Sequence, residues 1–432
     1  MLPICILTIQ DEDDRAYMSR LFVQYHRLMY QCTYEVLDDK WTTEDAVQTT
    51  LLRLIDLCRF VSSKHTRDHV RRCLPQNCGY ILDELLHAHF EDHDKEFYYG
   101  RILDSIIDIG RADDFITALA QLIQRLAVYR LHIVGDIFDR GPRPDIILDE
   151  LMRHHSVDVQ WGNHDVQWMG AAAGSEACVA TVVRHCVHYQ TLDILEGSYG
   201  ISLRELALFA EKTYAEQDVL SACEKAITVI MLKVSGQLIS RHPEFDMAGR
   251  LLLGGVDASA GTVRIGGRSY ELVTRDFPTL EPSHPYELTD EERRVLDGLV
   301  ESFTHSRRLR RHVDFLYEKG SVYLAYNNNL LFHGCVPMRA DGSFRPIRVG
   351  GRHIAGRAYL DACDRMARIA WHERTPEALD WMWYLWCGLG SPLSGRTMKT
   401  FERTFVADRS AWAEEQDPYF ELTCEPGACE HV

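Results

Sequence analysis

The stretch "HIVGDIFDRGPRPD", residues 132–145, is apolar for a few positions and then breaks into charge. Asp136, Asp139, Arg140 and Asp145 follow one another there, with Gly135 and Gly141 among them. Three acids beside an arginine at the end of a strand rarely serve packing alone. Two further strand ends carry the same kind of residue: "GNHD", with Asn163, His164 and Asp165, and "FHGC", with His333. Carboxylate and amide oxygens together with imidazole nitrogen are the donors that divalent cations take.

"GDIFDRG" and "GNHD" resemble the second and third signatures of the calcineurin-like metallophosphoesterases. That resemblance implies roles. Asp136 bridges two cations, Asn163 ligates one through its side-chain oxygen, and His333 adds a neutral imidazole. Cations held in this way polarise a phosphoryl group and activate water near neutral pH. By the same resemblance His164 is the general acid for the leaving alkoxide. Asp139 orients its ring and raises its pKa. Arg140 clamps the phosphate with its bidentate fork, and Asp165 anchors the loop.

The wider text is more specific. "HSVDVQWGNHDVQWMGAAAGSEACVA", "LFHGCVP", "WYLWCG", "SPLSGR", "TFERTFV" and "CRFVSSKHTRDHVRRCLP" are similar to the class III fructose-1,6-bisphosphatases of bacteria, from roughly residue 45 onward. The resemblance implies hydrolysis of the 1-phosphate of fructose 1,6-bisphosphate in gluconeogenesis, with Mn²⁺ as the metal. It also implies an opening strand with an Asp-x-His motif and a later Gly-His-x-Pro segment. Neither Asp-x-His nor Gly-His occurs around any of the 20 histidines. The chain is therefore expected to be a fragment of the enzyme, with ligands for one of two cation sites. Such a chain holds at most one Mn²⁺, weakly, and turns over little. Two other readings stay open: a protein phosphatase of the same superfamily, which shares "GDxxDRG" and "GNH", and a non-catalytic remnant.

The elements that must position these residues follow from hydrophobic period. "LHIVGDIF" and "SVDVQWGNHD" read as buried strands, and "PDIILDELMRHH" reads as the crossover helix of one βαβ unit with Pro144 in its first turn. "LLFHGC" is expected in the same core, after "SVYLAY" and a turn at Asn327–Asn329. Helices are expected over 15–130, 176–235, 291–306 and 356–388, and a small hairpin over 251–275. The expected fold is α/β: a calcineurin-like core, an incomplete β-sandwich flanked by helices, with large helical additions. The expected divisions are a helical region 1–125, a first part of the core 126–175, a helical insertion with a hairpin 176–320, and the remaining core with helices 321–432.

With 432 residues and 46% hydrophobic content, the chain can bury a sizeable core. A net charge of −17 argues against nucleic acid or an anionic membrane as partner. The 13 cysteines show no regular framework and read as reduced thiols of a cytoplasmic protein. No apolar run has the length of a bilayer span. The expected partner is fructose 1,6-bisphosphate, with a homo-oligomer also possible. "HAHFEDHD" (87–94), the basic run Lys64, Arg67, Arg71, Arg72 and "CEPGAC" (424–429) read as solvated or non-ligating segments.

Overall fold

The computed structural model describes residues 40–75, 78–87 and 93–422. The expected helix over 15–39, most of "HAHFEDHD" and the "CEPGAC" segment lie outside the described residues. The chain is α/β, with helices dominating and small sheets. It divides into two compact units between Leu131 and His132.

In the first unit, helices Lys40–Ser62, Arg67–Cys73, Gly79–His87, His93–Asp108 and Ala112–Ala127 surround an apolar core that includes Leu51, Ile55, Leu82, Leu103 and Leu119. The 3.6-residue spacing of these residues places them on one face of each helix, so burial of that face drives the packing. Arg71 of the basic run pairs with Asp83 at 3.1 Å, as a surface ion pair would.

The second unit contains the candidate site. Strand Val157–Gln160 lies at the centre of a three-stranded sheet, between Leu131–Ile133 and Gly320–Ser321, and runs parallel to the latter. Helix Pro144–Arg153 crosses between the first two strands and starts on Pro144, whose missing N–H is no loss in a first turn. The third strand of this sheet is the short Gly320–Ser321. "LLF" is not in this sheet: Asn329–Phe332 pairs antiparallel with Tyr323–Tyr326 in a hairpin of its own. Asn327 and Asn328 form its two-residue turn with φ of 48° and 59°, the left-handed pair that such a tight turn requires. The expected hairpin at 251–275 is a three-stranded meander, Val256–Asp257, Thr262–Ile265 and Arg268–Glu271.

Helix Asn163–Ala173 is buried on every side and packs against helices Glu176–His188, Asp290–His305 and Pro376–Cys387. Its small residues permit that: a Cβ on Gly170 would lie 2.7 Å from Cys178 Sγ and 2.8 Å from Met382 Cβ. Helix Asp290–His305 begins with a capping box, in which Thr289 Oγ1 accepts from Glu292 N at 3.2 Å and Glu292 Oε2 accepts from Thr289 N at 2.8 Å. The same Glu292 oxygen receives Lys233 Nζ at 2.7 Å, and both side chains are fully buried. The cysteines among the described residues are free and mostly buried. Among the described residues, no helix is long and apolar enough to cross a membrane.

Candidate active site

Two strand-end loops meet because glycine lets them. Gly135 has φ of 79°, and a Cβ there would lie 2.4 Å from Gly162 N and 2.7 Å from Gln160 O. A Cβ on Gly162 would lie 2.1 Å from Asp136 Oδ1 and 2.3 Å from Asp136 N. Asp136 itself is held at φ 55°, a backbone conformation that costs a non-glycine residue energy and clusters at functional sites. Asp165 ties the loops together. It is fully buried, accepting from Phe138 N at 3.1 Å and from Gly162 N at 2.9 Å. Burial pushes its carboxyl up to about 6, against the two amide bonds that favour the anion.

A Gly162→Ala substitution must therefore displace Asp136. The expected loss of stability is about 1–3 kcal/mol, as for overpacking elsewhere. Thermal melting checks this: a lowered Tm is expected, and an unchanged Tm contradicts the close approach.

Asp136 uses both carboxylate oxygens. Oδ1 accepts from the His164 N–H at 3.1 Å, in the first turn of helix Asn163–Ala173, where the helix dipole also favours an anion. Oδ2 lies 3.2 Å from His333 Nε2. The other ring nitrogen of His333, Nδ1, is 2.8 Å from the Val134 carbonyl oxygen. A carbonyl only accepts, so Nδ1 carries the proton and Nε2 turns its second valence toward Asp136. Two acceptors in that position require a cation between them or a proton on Nε2. Burial alone would lower the His333 pKa and raise that of Asp136. Their contact outweighs it, and His333 lies above and Asp136 below its ordinary value.

His164 Nε2 lies 3.3 Å from Asp139 Oδ1. Asp139 raises the His164 pKa in the expected direction, but the net shift is downward. Burial lowers it below the ordinary 6.5, and the carboxylates of Asp136 and Asp139 only partly offset that. Ligand atoms of Asp136, Asp139 and His164 all lie within 4.8 Å of one another, so His164 is also within reach of a shared cation. Asn163 Nδ2 donates to Trp386 O at 3.3 Å, which leaves the side-chain oxygen available as a ligand. Arg140 donates from Nε to Asp139 Oδ1 at 3.2 Å, and its guanidinium carbon lies 5.1 Å from the centre of the Tyr189 ring. Asp145, the remaining acid of the opening stretch, is buried elsewhere and pairs with Arg143 at 2.9 Å and Arg308 at 2.8 Å.

Arg140, Asn163, His164 and His333 line one cavity of about 910 Å³. The sequence reading did not single out other residues on its wall, notably Arg184, His185, Trp386 and Lys399. One signal was available for the first two. "Arg184-His185" interrupts the apolar run "CVATVVRHCVH", and an arginine is seldom fully buried without a partner.

Comparison with known proteins adds a family. No solved structure matches the chain. The family described as "Firmicute fructose-1,6-bisphosphatase" matches residues 11–432. A protein of Listeria monocytogenes named "Fructose-1,6-bisphosphatase class 3" is 47% identical over 411 residues, covering 89% of this chain and 63% of its own length. Proteins of the same name from Listeria innocua (44% identical, 98% of this chain, 68% of its own length) and Clostridium botulinum (45%, 92% and 64%) are similar too. The chain thus spans about two thirds of the length of the curated relatives it matches. Its match over nearly every residue places it: the chain belongs to the Firmicute fructose-1,6-bisphosphatase family.

Proposed function

We propose that this chain carries the reaction centre of a metal-dependent sugar-phosphate phosphatase. In this reading it converts fructose 1,6-bisphosphate and water to fructose 6-phosphate and phosphate. The observation that carries the reading is the His333–Asp136 contact. An imidazole with Nδ1 fixed on the Val134 carbonyl and Nε2 3.2 Å from a carboxylate oxygen is a donor set suited to a cation. Asp136, His333 and the free oxygen of Asn163 would hold a divalent ion, with Mn²⁺ proposed. When bound, such an ion neutralises phosphoryl charge and activates water.

The chain's own residues do the rest. Arg140 points a fork of donors into the cavity and holds the phosphate being cleaved. Protonated His164 gives the proton of its other ring nitrogen, Nδ1, to sugar oxygen O1 as the P–O1 bond breaks and the water oxygen bonds to phosphorus. Asp139 keeps that ring turned toward the reacting bond. Asp165 keeps the two loops in register, and the helix N-terminus at Asn163–His164 steadies the Asp136 anion. A calcineurin-like core belongs to the same proposal, supported by the two strand-end loops.

This chain supplies one ligand set, and the sequence contains no Asp-x-His motif for a second. We therefore expect slow phosphate release from it alone. The test compares this chain with a version lengthened to carry the Asp-x-His and Gly-His-x-Pro motifs, each with Mn²⁺, on fructose 1,6-bisphosphate and on a phosphoserine peptide. The proposal predicts release from the sugar bisphosphate by the longer version and near-background release by this chain. A preference for the phosphopeptide contradicts the substrate.

A further inference from the structure

The cavity continues from His164 toward a wall built by helix Glu176–His188 and the segment 396–404. Arg184 stands in that wall and is 7% exposed. A guanidinium has five N–H donors to satisfy. Here Nη2 lies 3.5 Å from Thr404 Oγ1 and 3.7 Å from Glu224 Oε1, and Nε is buried with no hydrogen-bond partner. Glu224 is committed elsewhere, with His188 Nδ1 at 2.6 Å. Leaving a charged donor buried and unsatisfied is costly, so an acceptor arriving from outside the fold has much to gain there.

Lys399 is half-buried and loosely paired. Its nearest acid, Glu402, is 3.6 Å away and already takes both arms of Arg250, at 2.6 and 2.7 Å. Arg396 stacks on Phe420 at 4.7 Å and has no carboxylate partner. Trp386, 3% exposed, also lines the cavity, and its indole N–H has no acceptor. The other cations on the wall are neutralised. Lys225 pairs with Glu216 at 2.7 Å and Asp276 at 2.8 Å, and Arg403 pairs with Glu414 at 2.8 Å. In a chain of net charge −17, this concentration of loosely paired cations against one cavity calls for an anion.

We propose that Arg184, Lys399 and Arg396 form a second anion subsite, which holds the phosphate that is not cleaved. The inference rests on the phosphatase reading of the same cavity. His185 follows Arg184, and its ring centre is 5.5 Å from that of His164, so the subsite adjoins the reacting end. About 910 Å³ is ample for a hexose carrying two phosphates, since ligand cavities run from about 300 to 1,000 Å³. Such a subsite selects a bisphosphorylated sugar over a monophosphate ester, and the Trp386 N–H adds a donor for a sugar or phosphate oxygen.

Calorimetric titration with fructose 6-phosphate, which carries only the uncleaved phosphate, tests this without turnover. Arg184→Met and Lys399→Met should each weaken its binding by roughly 10–100-fold, the worth of one charged hydrogen bond. Arg403→Met, which removes a cation already paired, should leave it unchanged. Arg184→Lys should restore part of what Arg184→Met loses, because the charge returns without the fork. Should Arg184→Met not fold by circular dichroism, Lys399→Met decides alone. Binding unchanged in the two methionine variants, or no binding by the unsubstituted chain, overturns the subsite. Phosphate release separates the two ideas. Lost binding in variants of a protein that never cleaves fructose 1,6-bisphosphate keeps the subsite and removes the phosphatase reading. Cleavage with unchanged binding removes the subsite alone.

Discussion

His164→Ala is expected to cut phosphate release from fructose 1,6-bisphosphate by roughly 10²–10⁴-fold, the usual contribution of a positioned general acid. Mn²⁺ affinity should be unchanged. The comparison belongs in the lengthened version, where turnover is expected to be measurable. The reason lies in the leaving group: a sugar alkoxide is a strong base, and expelling it without a proton is slow. His164 Nε2 is the side-chain nitrogen that Asp139 turns, at 3.3 Å. The prediction has a real competitor, because His164 also lies within 4.8 Å of the ligand atoms of Asp136 and Asp139. Calorimetry distinguishes the two. A fall in Mn²⁺ affinity as large as the fall in rate makes His164 a ligand instead of the acid.

The second large effect concerns the frame of the site. Lys233→Met should destabilise the protein by about 3–5 kcal/mol, the cost of leaving a buried charge without its partner. Lys233 Nζ donates to Glu292 Oε2 and to Thr279 O, both at 2.7 Å, with neither side chain of the ion pair reaching solvent. Glu292 also accepts from Thr289 N at the start of helix Asp290–His305. That helix packs on Asn163–Ala173, so the loss reaches the element that carries His164. Replacing the pair together, Lys233→Met with Glu292→Leu, should recover much of the loss but not the roughly 1 kcal/mol of the helix cap. Urea denaturation at pH 7 measures both. A single variant within error of the parent contradicts the buried pair.

The meeting of the Asp136 and Asn163 loops was largely legible because its parts are local. Gly135-Asp136 and Gly162-Asn163 sit where short apolar runs end, and the glycines needed for the close approach are neighbours of the ligand-type residues. Helices such as Pro144–Arg153 and Asp290–His305 announce themselves by Pro144 and by the Thr289/Glu292 box. The tight turn of Asn327 and Asn328 was legible for the same reason. The strand Gly320–Ser321 that completes the central sheet was not, because two residues carry no period to read. The upward pull of Asp139 on the His164 pKa was visible in the sequence, whereas the burial that outweighs it is set by the tertiary fold. Arg184 and Lys399 escaped notice because only the tertiary fold brings residues 184 and 396–404 to one wall.

The proposed function stands on Asp136 and His333 forming a cation site, for which the described residues supply one set of ligands. Calorimetric titration of the 432-residue chain with Mn²⁺, beside its Asp136→Asn variant, tests it most directly. Removing a ligand should cost more than the roughly 10–100-fold that loss of an outer partner costs. The account predicts a single weak site in the parent and none in Asp136→Asn. Two tight sites, or Mn²⁺ binding that survives Asp136→Asn, would contradict it.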